Sequence, residues 1–387
     1  MERIPVHMSV LQEVAAKAAD AGLSRRAFLG LLGAAGGAAA LSGCGKKAHD
    51  VRWANMTLYL DQDDDGGFPT LEQFQDETGI SVSYLEDIED YDGFHGKVRA
   101  RLEAGQDIGY DLVVLVDWMT ARWVRGNLTN TWSRAAMPNT KNLRPQLENV
   151  DYDPGRTHSI AWQSGFAGLA WNKKKVPDGL HSIDDLWKPE FAGRTIIVSE
   201  MRDVLGLVMR SQGVDPGAST WGADEFANAL DVVTAHMSGG HIRKVTGAFT
   251  PELISEDALV AIAWSGDIQQ INYENGDRWA FAVPDSGGML WNDNLVMPAT
   301  SDKVTDVQKL VDFYYDPQVA ATVAAYVNYI TPVVGAQEAM ATIAPELVDD
   351  ELIFPTDETL SNVSVFRTLT PEEDADYNGQ FLTVIGS

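Results

Sequence analysis

Beyond residue 50 the chain alternates short apolar runs with amphipathic stretches. Residues 56–60 read as a strand, followed by an acidic loop bearing glycine and proline over residues 61–70. Leu71-Glu72-Gln73-Phe74 starts a helix that Thr78-Gly79 stops. Ile80, Val82 and Tyr84 alternate with polar residues, as in a strand with one buried face. Phe94, Val98 and Leu102 recur every four positions, a helical stripe that ends at Gly105. Residues 111–116 form a buried strand leading into Asp117-Trp118. The alternation then restarts. Strands are predicted at 166–171, 195–198, 259–264, 279–283 and 295–297, with helices at 184–188, 204–209, 223–235, 304–315 and 319–327. Strand–helix–strand alternation predicts an α/β fold with open sheets, and in such sheets ligands bind at the carboxyl ends of the strands.

At 387 residues the chain is long enough for two cores. Its 45% hydrophobic and 22% charged content is that of an ordinary globular protein. The net charge of −27 argues against nucleic acid and anionic membrane surfaces, and it draws cations. An organism that favours acidic surfaces would give the same balance.

The N-terminus is read as an export signal. Ser24-Arg25-Arg26-Ala27-Phe28-Leu29 is a twin-arginine motif, followed by a Gly/Ala-rich apolar run. That run is short for a bilayer span. It ends in Leu41-Ser42-Gly43-Cys44, which resembles a bacterial lipoprotein processing box. Cys44 is the only cysteine, so an internal disulfide is impossible and lipidation is its natural use. Residues 1–43 are the expected leader and 44–53 a tether. The expected location is the outer side of the cytoplasmic membrane, reached by the twin-arginine route and held by the lipid alone.

Chemistry concentrates at predicted strand ends. Glu200 and Asp203 follow the strand at 195–198, Trp264 closes another, and Trp291 and Asp293 flank a third. Carboxylates beside aromatic faces specify an organic cation, because a buried ammonium needs paired charge and an indole face attracts it. The bland reading is that a tryptophan is core and a carboxylate at a helix start is a cap. For Glu200 alone the two readings weigh equally, and for the whole set the ligand reading is stronger. Asp61, Asp63, Asp65, Gly66 and Glu72 match the letters of an EF-hand loop, although a strand rather than a helix precedes it. Three readings stand for that loop: an acidic border that draws cations into the cleft, a structural calcium site, or a solvated turn. There is no phosphate loop, no His-Glu-x-x-His and no glycine-flanked nucleophilic serine, so no enzyme is expected and no cofactor is required beyond that calcium.

Five segments carry a family likeness. They are Leu71-Glu72-Gln73-Phe74 with Glu77-Thr78-Gly79-Ile80, and Tyr110-Asp111-Leu112-Val113-Val114. Next come residues 185–193, Gly287-Gly288 with Trp291 and Asp293, and Tyr329-Ile330-Thr331-Pro332. In this order they resemble the periplasmic spermidine/putrescine-binding proteins of ABC importers. The resemblance implies a two-lobe periplasmic-binding-protein fold of type II-like form, with the ligand in the cleft between lobes. Crossings are expected near Gly165, Gly288 and Thr331, so that 54–164 plus 289–331 form one lobe and 165–288 plus 332–387 the other. It implies ligand contacts at Trp118, Glu200, Asp203, Trp264, Trp291, Asp293 and Tyr329. It also implies a monomer that passes polyamine to a permease and its ATPase. Another organic cation or small solute on the same scaffold, and a ligand sensor without transport, are the alternatives. One departure stands out: the aromatics that the family offers after its first strand are missing from residues 61–69.

Overall fold

A computed structural model describes residues 51–246, 253 and 255–386. The twin arginines and Cys44 lie outside the described residues.

The first strand precedes its predicted position. β1 is Val51–Ala54 and pairs in parallel with both β2 (Val82–Leu85) and β3 (Leu112–Val116). Val51 and Trp53 are fully buried, so the predicted tether at 44–53 runs into the core of the sheet. The apolar stretch at 56–60 is no strand, because Leu58 sits at φ 59°, in the left-handed region that breaks an extended run.

Between these strands lie α1 (Pro69–Thr78) and α2 (Tyr91–Glu103), and α3 (Asp117–Arg125) follows β3. Gly79 at φ 69° closes α1 in the left-handed conformation expected of a terminating glycine. A small hairpin, β4 (Asn149–Val150) with β5 (Asp153–Pro154), precedes the long strand β6 (Ser159–Asn172). The second half holds β7 (Thr195–Val198), α4 (Met201–Ser211), α5 (Ala223–Ser238), β8 (Ile242–Thr246), β9 (Val260–Trp264), α6 (Ser265–Asn275) and β10 (Trp279–Ala282). The chain returns through β11 (Gly288–Val296) to α7 (Val304–Tyr314), α8 (Pro317–Val327) and α9 (Ala336–Ile343). It ends with α10 (Asp357–Ser361), β12 (Val363–Ser364) and α11 (Pro371–Ile385).

One sheet runs through the molecule in the order β2-β1-β3-β11-β6-β9-β7-β8. Parallel triplets stand at both ends, and the antiparallel pair β6 and β11 joins them. Two separate apolar cores pack on it. The first gathers residues from Val51 to Trp162 and from Leu295 to Phe354. The second gathers residues from Ala167 to Met289 and from Leu369 to Ile385. This is the two-lobe arrangement, and β6 and β11 run between the two cores. The third crossing is not at Thr331. Val333, Ala336, Met340, Ile353 and Phe354 pack in the first core, so the chain changes lobe only between Phe354 and Leu369. The cause is α9, whose buried face continues the apolar surface of α8 and so stays with the first lobe.

Candidate ligand cleft

Strand ends supply the cleft. Asp117 and Trp118 follow β3, Glu200 follows β7, and Trp264 terminates β9, all at carboxyl ends of parallel strands. Trp291 and Asp293 stand on β11, where the chain crosses between lobes. A register shift between Asp293 and Asn294 interrupts the pairing with β6, a bulge of the kind that re-aims a side chain. Behind Asp293, Asn292 and Asn294 donate to the Asp117 carboxylate at 2.9 and 3.0 Å, and this holds β11 against the start of α3.

Asp293 is 2% exposed and accepts two phenolic hydrogen bonds, from Tyr59 and Tyr91, each 2.6 Å long. Burial pushes its pKa up to about 7. Asp203 is 4% exposed and accepts the Trp264 indole N–H at 2.7 Å. Burial, with Glu200 nearby, likewise raises it to about 7. Asp267, in the first turn of α6, is half-buried and accepts the Tyr329 hydroxyl at 3.1 Å; burial raises it to about 6. The three tyrosines have pKa values well above 10, so they remain donors.

The aromatic faces interlock with these acids. The Tyr329 ring lies edge-on to Trp291 at 4.9 Å and to Tyr59 at 5.9 Å. Two glycines permit this packing: a Cβ on Gly165 would sit 2.3 Å from the Trp291 ring, and one on Gly266 would sit 2.5 Å from the Tyr329 ring. Trp118 approaches Tyr91 at 6.2 Å.

Glu200 differs from the other acids. It caps α4 by accepting the Arg202 backbone N–H, and the Arg202 guanidinium donates to the same carboxylate at 3.2 Å. Arg202 also lies 4.6 Å over the Trp118 ring. Among the described residues, Asp203, Asp267 and Asp293 have no basic side chain within ion-pair distance. Their donors are neutral N–H and O–H groups, which leaves carboxylate charge to be met by something else.

All seven predicted contact positions therefore lie in or beside one cluster. Sequence reasoning missed Tyr59, Tyr91 and Asp267. Tyr59 was hidden inside the misplaced strand, and the structure places its hydroxyl on Asp293. Tyr91 follows the capping Asp90 and reads as a helix start. Asp267 stands three residues after Trp264, a spacing that places it in the same cleft.

The acidic loop is held by hydrogen bonds of its own. Asp61 is buried and turned inward, where it accepts the Thr70 N–H at 2.9 Å and the Thr70 hydroxyl, capping α1. Asp63 folds its own turn by accepting the N–H groups of Asp65 and Gly67 at 3.0 and 2.8 Å. No group of three acidic, histidine or cysteine side chains among the described residues is arranged to hold a metal.

Residues 70–355 match the family described as bacterial extracellular solute-binding protein. Relatives include the spermidine/putrescine-binding periplasmic protein of Escherichia coli, 28% identical over 76% of this chain and 81% of its own length. Spermidine/putrescine-binding periplasmic protein 1 of Haemophilus influenzae is 26% identical over 87% of this chain and 92% of its own. In fold, the chain is similar to the spermidine/putrescine ABC transporter substrate-binding protein PotD of Streptococcus pneumoniae, solved with calcium and HEPES. The TM-score is 0.73 at 23% identity, covering 87% of this chain and 98% of that one.

Proposed function

This chain belongs to the bacterial extracellular solute-binding proteins, and from that premise we propose that it captures a polyamine, spermidine or putrescine, for an ABC importer. The observation that carries this reading is the set of three carboxylates, Asp203, Asp267 and Asp293, that have no basic partner among the described residues and stand beside the Trp264, Trp291 and Tyr329 rings. A polyamine alternates ammonium groups with methylene spacers. Each ammonium takes a carboxylate, in charge-assisted hydrogen bonds contributing about 1.5–3 kcal/mol apiece. The spacers lie against ring faces, and an ammonium over an indole adds about 0.5–2 kcal/mol.

On this reading the protein binds and releases its cargo without catalysis, and lobe closure is the signal to a permease and its ATPase. The twin arginines and Leu41-Ser42-Gly43-Cys44, whose cysteine is the only one, support export in the folded state followed by lipid anchoring through Cys44; the anchored protein acts as a monomer. Isothermal titration of the purified protein with spermidine and putrescine tests the central part. Saturable one-to-one binding of either is expected, and a folded protein that gives no heat with both refutes it.

A further inference from the structure

The start of α11 is tied to the other lobe beside the cleft. Helix α11 belongs to the second lobe, since Tyr377 and Phe381 pack in its core. Helix α3 belongs to the first, since Met119 and Trp123 pack in the other. Between them stands Asp374, 7% exposed. One of its oxygens accepts Arg122 of α3 at 2.7 Å, and the other accepts Arg202 of α4. The two guanidiniums lie 5.1 and 4.6 Å over the Trp118 ring. A carboxylate from the C-terminal helix thus gathers one arginine from each lobe around a tryptophan of the cleft.

Two neighbouring bonds follow the same seam. The Thr368 hydroxyl donates to Asp151 at 2.8 Å, and Arg125 of α3 donates to the Leu369 carbonyl at 3.4 Å. All three connections leave residues 368–374 and end on the first lobe. None involves Asp203, Asp267 or Asp293.

We propose that Asp374 is a positioning residue that clasps the lobes: through Arg122 and Arg202 it couples closure to the placement of Trp118 and Glu200 at the cleft. A bidentate or shared carboxylate–guanidinium pair has fixed geometry, so the clasp forms only when α3 and α11 reach closed registration. It therefore holds ligand by slowing opening rather than by touching it. Buried charge pairs of this kind act mainly on dissociation. The proposal uses the polyamine reading for its kinetic probe only, because lobe separation can be measured without ligand.

Arg122→Gln is the discriminating variant. It cuts the tie between lobes and leaves the Arg202–Asp374 pair within the second lobe. Spermidine dissociation, followed by tryptophan fluorescence in stopped flow, is expected to quicken about tenfold. X-ray scattering from the ligand-free protein is expected to show a larger radius of gyration than wild type. Asp374→Asn should move both readouts the same way, and Arg122→Lys should restore part of the loss. A dissociation rate within twofold of wild type, together with unchanged scattering from either variant, overturns the clasp. If wild type itself shows no response to spermidine, the polyamine reading falls, and the scattering comparison still decides the clasp.

Discussion

Glu200 and Asp203 leave the same helix start three residues apart, yet only one of them is met by a cation. Glu200 receives the guanidinium of Arg202, which is also held by Asp374 and lies over Trp118. Asp203 receives an indole N–H and, among the described residues, no basic group. The same contrast divides the whole cleft. On one side arginines from both lobes offset the acids, and the contacts are structural. On the other, Asp203, Asp267 and Asp293 are held in shape by Trp264, Tyr329, Tyr59 and Tyr91, with no basic side chain among the described residues to meet their charge. A structural ion pair stabilises the protein by itself; a preorganised carboxylate without a cation costs stability until a ligand supplies one. The second pattern is the one the proposed polyamine site rests on, and proximity of acids alone would not supply it.

The sharpest way to break the contrast is Asp293→Asn, which keeps shape and removes charge. Polyamine affinity should fall by two orders of magnitude or more, about 3 kcal/mol, when read by calorimetry. The melting temperature of the ligand-free protein at pH 8 should hold or rise, because an unmet buried charge has gone. A smaller loss is expected from Trp264→Leu, which keeps apolar bulk but removes a ring face and the donor to Asp203. About tenfold weaker binding is the expected result, and binding as tight as wild type would remove Trp264 from the ligand. Smallest of all should be Glu200→Gln. The amide oxygen can still accept the Arg202 N–H, and the lost charge was already offset. Affinity should change by no more than about threefold. A loss as large as that of Asp293→Asn would place Glu200 among the ligand's own partners and erase the distinction between the two sides.

Much of this architecture was legible in the chain. The 3.6-residue stripe at Phe94, Val98 and Leu102 and the apolar run before Asp117 are local signals, and local elements followed from them. Trp264, Trp291 and Asp293 were legible as candidates because strand ends are where an α/β sheet exposes chemistry. What was not legible depended on long-range packing. Trp53 looks like tether until β2 and β3 flank it. Tyr59 becomes a ligand-cleft residue only because Leu58 turns the chain toward β11. Asp61 and Glu72 carry the letters of a calcium loop, but Thr70 has claimed Asp61. The role of Arg202 was equally hidden: its partner Asp374 lies far along the chain on another helix.

Carboxylates that await a cation give up protons when it arrives. Asp203 and Asp293 have pKa values of about 7 in the ligand-free fold against an ordinary 3.8. Between roughly pH 4 and pH 7 the fold therefore binds more protons than the unfolded chain, and the stability of the ligand-free protein falls as pH rises through that window. A bound ammonium favours the carboxylate form and expels those protons. Calorimetric titration with spermidine at pH 6.5, in two buffers of different ionisation enthalpy, measures that exchange directly. Release of about one to two protons at pH 6.5, vanishing by pH 9, is the predicted result. Tight binding with no proton release at pH 6.5 would mean that these carboxylates do not receive the cation, and would contradict the account.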